Sequence, residues 1–256
     1  MADFEELIAE AEVHPMQGWD FSWLGSRLSA SPPPWSYRTM VHRLALVSGD
    51  LLDLGTGGGE WLADLDHRPH RTVATEGWPP NVAVARARLG PLGVEVLGYQ
   101  SPSENVTQAE VEPGLPFPDG TFHLIANRHE SFVAKEVARV LAQGGHFITQ
   151  QVGGGERLAA LLGITPPQPR ARPWDMAPAT VQLEAAGLRI TDGSEIDQVE
   201  TVADLGALVW YLRAAPWEVP SFSLESFRSR LLELHVQSQS APLQFARRAF
   251  WLLAQA

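Results

Sequence analysis

Along this chain the spacing of apolar positions switches between a helical and an extended period, and each switch marks an element. Residues 4–12 repeat apolar side chains at helical spacing and predict a short amphipathic helix. Residues 18–36 break that pattern with prolines and aromatics, after which helical spacing resumes over 37–46. A continuously apolar run then predicts a buried strand at 50–54, followed by a second strand at 71–76, a helix at 81–89 and a third strand at 94–99. The turn Pro118-Asp119-Gly120 opens another buried strand at 122–127, and a helix at 131–141 leads into a strand ending at 152. Residues 153–173 combine one short helix, 157–162, with a proline-rich loop of lid-like composition. A helix at 178–186, a strand at 188–192, an apolar helix at 202–213 and a last strand at 248–255 complete the reading. The expected division is an N-terminal helical and aromatic cover, 1–46, ahead of one α/β domain, 47–256, with an insertion around 153–178.

The first strand runs directly into Gly55-Thr56-Gly57-Gly58-Gly59-Glu60-Trp61. Glycines there permit positive φ and let the backbone lie against a bound molecule. A turn of this kind at the carboxyl end of a parallel strand is where open α/β sheets bind ligands. A phosphate-binding loop requires Lys and Ser/Thr after the last glycine, whereas this chain has Glu60-Trp61. A dinucleotide turn requires glycine or alanine where Glu60 stands. What remains is a nucleoside without phosphates. Glu76 fits it, because an acid ending the second strand can accept hydrogen bonds from both ribose hydroxyls.

With Asp53-Leu54-Gly55-Thr56-Gly57-Gly58-Gly59 followed by Glu76, the chain resembles the class I S-adenosylmethionine-dependent methyltransferases. The resemblance covers 45–155 most clearly. Shorter strings, such as 127–131 and 149–153, are similar to a bacterial subgroup whose substrate the sequence does not name. It implies a doubly wound, mostly parallel seven-stranded sheet with one antiparallel strand near the C-terminal end. The cofactor would then be S-adenosylmethionine, with S-adenosylhomocysteine as product. The turn Asp53, Gly55, Thr56, Gly57 and Gly59 would hold its methionine part and Glu76 its ribose, with Gly77 alongside. Trp78 stands where an aromatic flanks the adenine. Gln100 and Ser101 replace the acid that many members use for the adenine amino group, and Glu104 is a further candidate.

Asn127, Arg128, His129 and Glu130 end a buried strand on the same sheet edge. Polar residues there are costly unless solvated, paired or functional. Asn127 and Arg128 are assigned to the cofactor. His129 is the first candidate for general base, with Glu130 orienting it or pairing with Arg128. Trp19, Trp23, Trp35, Gln150 and Gln151 are assigned to the substrate pocket, although the aromatics serve equally as anchors of a cover.

A formal charge of −11 and a single lysine, Lys135, argue against nucleic acid as partner and do not oppose a sulfonium cation. The absence of cysteine removes disulfides and thiolate metal sites, and His67 and His70 near Asp64 and Asp66 read as a solvated turn. With no signal-like N-terminus and no span of ~20 apolar residues, a cytoplasmic protein is expected. The acceptor is expected to be a small molecule. An RNA or protein methyltransferase and a non-catalytic cofactor-binding module stay open as alternatives.

Overall fold

The computed structural model describes residues 3–15, 20–102, 105–107, 114–153, 155–164, 174–216 and 218–256. Eight strands form one mixed sheet in the order β1-β7-β8-β6-β5-β2-β3-β4. They are β1 (Leu28–Ala30), β2 (Asp50–Leu54), β3 (Arg71–Glu76), β4 (Glu95–Gly98), β5 (Phe122–Arg128), β6 (Leu141–Gly153), β7 (Arg189–Val202) and β8 (Leu243–Gln255). The chain moves outward from β2 through β3 to β4, then returns to place β5 on the other side of β2. That reversal creates a switch point at the carboxyl ends of β2 and β5.

The five strands from β4 to β6 pair in parallel, and β1 pairs antiparallel with β7. Strands β7 and β8 also run antiparallel. Thr191 bonds to Leu253, whereas Thr201 further along β7 meets Gln244 earlier on β8. The sheet therefore has one strand more than the seven expected. The extra strand, β1, has three residues, too few for a period to be seen.

The chain divides into two compact units, each assembled from separated stretches. One comprises 34–152, 174–195 and 249–256. In this unit successive residues of β2 supply opposite faces. Leu51 packs with Val41, Ala45, Leu62, Ala85 and Leu89. Leu52 and Leu54 pack with Val137, Val140, Ala179 and Leu183. Helices α2 (Tyr37–Ala45), α3 (Glu60–Ala63) and α4 (Pro79–Leu89) thus cover one face, and α5 (Ala134–Val140) and α7 (Met176–Ala185) the other. Leu51 and Leu52 have no exposed surface, and burial of each leucine side chain contributes about 1.5–3 kcal/mol. Burial on both faces explains why these strands read as continuous apolar runs rather than alternating ones.

The second unit comprises 1–33, 153–173 and 196–248. Its core joins α1 (Phe4–Val13), α6 (Gly155–Leu161), α8 (Leu205–Ala214) and α9 (Leu224–Ser238) through Leu7, Ile8, Leu158, Leu208, Trp210 and Leu234. Helix α1 therefore shares a core with α8 and α9. In the same unit, Arg27 bonds Asp204, the capping residue of α8, at 2.7 and 2.8 Å. Helix α9 is an addition to the sequence reading.

Candidate active site

The glycine turn sits at the switch point. Gly55, Gly57 and Gly59 have φ of 79°, 61° and 79°, a region closed to most side chains. The N–H groups of Gly55 and Thr56 both donate to the carbonyl of Thr75, which fastens the turn to β3. From α4, Arg88 holds the carbonyl of Gly58 and the carboxylate of Glu60. A Cβ at Gly55 would run into Cβ and Cγ of Glu130, and one at Gly59 would lie 2.8 Å from Leu89.

Three carboxyl groups converge here. Glu76, 5 % exposed, accepts from Gly57 N–H at 2.7 Å with one oxygen and from Trp78 N–H at 2.8 Å with the other. Burial raises its pKa, while those N–H groups, Gly77 and the nearby Asn81 restrain the rise. Asp53 has no exposed surface, and neither of its oxygens meets a hydrogen-bond donor among the described residues. Burial pushes it up to about 7, moderated by the neighbouring Thr56 hydroxyl and the Arg128 guanidinium. Glu130 is likewise pushed up to about 7, chiefly by burial and further by the charge of Glu76, while the Ser101 side chain draws it down. Orphaned buried oxygens are rare in folded proteins and call for a partner. A cation placed at the turn would stabilise both carboxylates.

The polar end of β5 separates into two sets. Asn127 is fully buried, and its amide is committed to protein. Oδ1 accepts from Thr149 and from Gln151, both at 2.7 Å, and Nδ2 donates to the Leu54 carbonyl at 3.2 Å. Gln151 also donates to the Glu130 carbonyl at 3.0 Å. This network fixes the ends of β2, β5 and β6 relative to one another. The other set is more open. Arg128 and His129 are exposed, and His129 is the one non-glycine residue with positive φ, 63°, among the described residues. Its N–H donates to the Gln150 carbonyl at 2.8 Å.

Residues 52–149, which contain the glycine turn, Glu76 and the whole polar end of β5, match the methyltransferase domain family. The chain carries a methyltransferase domain. An uncharacterised methyltransferase of Schizosaccharomyces pombe is 29 % identical over 182 residues, which span 63 % of this chain and 68 % of the yeast protein. The fold is similar to that of a proposed methyltransferase from Bacillus halodurans C-125. That likeness has 18 % identity and a TM-score of 0.56, and it covers 85 % of this chain and 97 % of the other. It is also similar to a functionally unknown protein from Deinococcus radiodurans R1, at 17 % identity and TM-score 0.54, covering 91 % and 95 %.

S-adenosylmethionine fits the methyltransferase turn: the orphaned oxygens of Asp53 suit a cationic ligand end, and the glycines leave the backbone free of side chains. Trp78 is 43 % exposed beside Glu76, and Ser101 is buried at the end of β4. Gly77 lies tight against that segment, since a Cβ there would be 2.9 Å from the Tyr99 carbonyl and 3.1 Å from Gln100. Trp35 reaches the same sheet edge, donating from Nε1 to Gln150 Oε1 at 3.0 Å. Trp23 belongs to the helical unit, stacked on His14 with ring centroids 4.6 Å apart and beneath Arg27. Trp19 and Glu104 lie outside the described residues, as do Gly154 and 165–173 of the lid-like segment.

Three contributors escaped the sequence reading. Tyr37 donates to the Asn127 carbonyl at 2.9 Å, Thr149 completes the buried network, and Asn81 stands close to Glu76. Asn81 directly follows the proline pair 79–80 in the first turn of α4, and that position was its only available signal.

Proposed function

We propose that this methyltransferase acts on a small-molecule acceptor at the carboxyl ends of β2 and β5. The observation that carries the proposal is the convergence of Trp35, Gln150 and His129 on that edge, an aromatic ring beside polar groups. The formal charge of −11 and the single lysine add support, because a polyanion draws its affinity from many cationic contacts.

In this reading Asp53 and Thr56 face the methionine end of the cofactor, with Gly55, Gly57 and Gly59 supplying the cradle. Glu76 holds the ribose, and Trp78, Gly77, Gln100 and Ser101 line the adenine. Arg128 completes the cofactor side, while Asn127 and Gln151 act by holding the edge in register. Bound S-adenosylmethionine supplies an electrophilic methyl group on a sulfonium. The chain contributes alignment, exclusion of water and a place for the acceptor's proton. Glu130 is suited to receive that proton, because a carboxyl pushed up to about 7 takes or releases one near neutrality. His129, one residue earlier, positions the acceptor.

Isothermal titration of wild type and Glu76→Ala with S-adenosylmethionine and S-adenosylhomocysteine tests the cofactor contact. Micromolar binding by wild type that the variant loses is expected. Unchanged binding by Glu76→Ala would remove the ribose assignment. Acceptor screening with labelled methyl donor then separates small molecules from RNA or protein, and transfer to a macromolecule alone would overturn the acceptor class.

A further inference from the structure

The side chains of Trp35, Gln150 and His129 form a hydrogen-bonded chain whose direction follows from elementary donor and acceptor rules. An indole N–H only donates. Trp35 Nε1 lies 3.0 Å from the Gln150 amide, so the amide atom it faces is the oxygen, Oε1. The other amide atom is therefore the NH₂ nitrogen, which has no lone pair to offer. That nitrogen lies 3.1 Å from His129 Nε2. An NH₂ group can hold a ring nitrogen at this distance only by donating to it, so Nε2 carries the lone pair and the ring proton is on Nδ1.

The backbone holds the histidine in this place. His129 N–H donates to the Gln150 carbonyl at 2.8 Å, so the same residue grips both ends of His129. The price of the geometry is a left-handed backbone at φ 63°, a conformation kept at functional sites when surrounding contacts enforce it. Gln150 is itself fixed from two sides, by Trp35 at Oε1 and by the parallel pairing of Arg128 with Gln150.

We infer that Trp35 and Gln150 are positioning residues that hold His129 as the Nδ1–H tautomer, with Nε2 accepting from the Gln150 amide, and so make His129 a hydrogen-bond donor in the methyl-transfer site. The inference deepens the proposed reading of this site and rests on it for the word "site" alone, because the tautomer is a property of the ligand-free chain. It also reassigns roles within 127–130. His129 is the first candidate for base from the sequence, and the amide of Gln150 occupies its Nε2.

Long-range ¹H–¹⁵N correlation spectra of ¹⁵N-histidine-labelled, ligand-free protein near pH 7.5 test this directly. His129→Asn identifies the resonances of residue 129 among the eight histidines. In wild type, Nε2 of His129 is expected at the shift of an unprotonated ring nitrogen and Nδ1 at that of a proton-bearing one. Gln150→Glu is the decisive variant. A carboxylate still accepts from Trp35 but presents an acceptor to His129, so the pattern should invert, with the proton on Nε2. Trp35→Phe frees the amide to turn over, and averaged ring shifts are expected. The seven other histidines report whether each variant keeps its fold. A wild-type His129 with its proton on Nε2, or one averaging between tautomers, would overturn the inference, as would an unchanged pattern in Gln150→Glu. Loss of cofactor binding in the titration above would leave these spectra unaffected, so the two readings fail separately.

Discussion

Burying a carboxylate without a donor costs several kcal/mol, and Asp53 carries that cost at the centre of the turn. Its folded-state value of about 7 lies above the ordinary 3.8, so the native chain keeps a proton that the unfolded chain gives up. Stability contributed by this group is full below about pH 4 and falls as pH rises through 7. Asp53→Asn removes the buried charge. The variant should melt several degrees above wild type at pH 8 with a much smaller gain at pH 5, and titration should show it losing affinity for S-adenosylmethionine. Equal melting at pH 8 would mean that the carboxylate is satisfied in solution. At this scale the sequence carried much of the site. Asp53, the glycines and Glu76 stand at fixed spacing along single strands, so one-dimensional pattern sufficed. The Asn127–Thr149–Gln151 network was illegible for the opposite reason: its members come from two strands that meet only once β5 and β6 pair. The direction of the Trp35–Gln150–His129 chain likewise depends on distances that no spacing encodes.

At the scale of elements, glycines decide how closely one segment approaches another. Gly55 combines positive φ with a position where any side chain would meet Glu130. Gly55→Ala is therefore expected to lose cofactor binding by at least tenfold in titration and to lower the unfolding midpoint. Near-wild-type affinity would show that Glu130 swings aside freely. Gly193 shows the same closeness inside a strand. The strand expected at 188–192 continues through this glycine, as β7, to Val202. The glycine is there because a Cβ would lie 2.7 Å from Leu252 and 3.0 Å from the Trp251 carbonyl on β8. Helix α9 was passed over although Ser223 caps it by accepting from Ser226 N–H at 3.1 Å. Three of its residues are buried, so its apolar stripe is narrow and leaves little periodic signal.

At the scale of the whole molecule, the helical unit has a polar centre of its own. Arg247, 8 % exposed, pairs with Glu200 at 3.2 Å and Glu218 at 3.3 Å and donates to the Tyr211 hydroxyl. Arg247→Leu would strand two largely buried carboxylates, and a loss of about 3–5 kcal/mol is expected in urea unfolding. A loss below about 1 kcal/mol would show the pairs to be solvated. The division into two units was the least legible feature, because each is assembled from three stretches: proline- or glycine-rich composition marks the crossings near 33 and at both ends of 153–173, but none marks those at 195 and 248. Those crossings bear on how the protein is made. The cofactor turn is finished by Gly59, but β6 receives its neighbour β8 only with residues 249–256. At ribosomal speeds the roughly 190 intervening residues take about 10–40 s to appear. Over roughly the last 95 of those residues, from the completion of β6 at Gly153, that strand offers an unpaired edge, so the nascent chain must be shielded during synthesis, long before it has a methyl group to transfer.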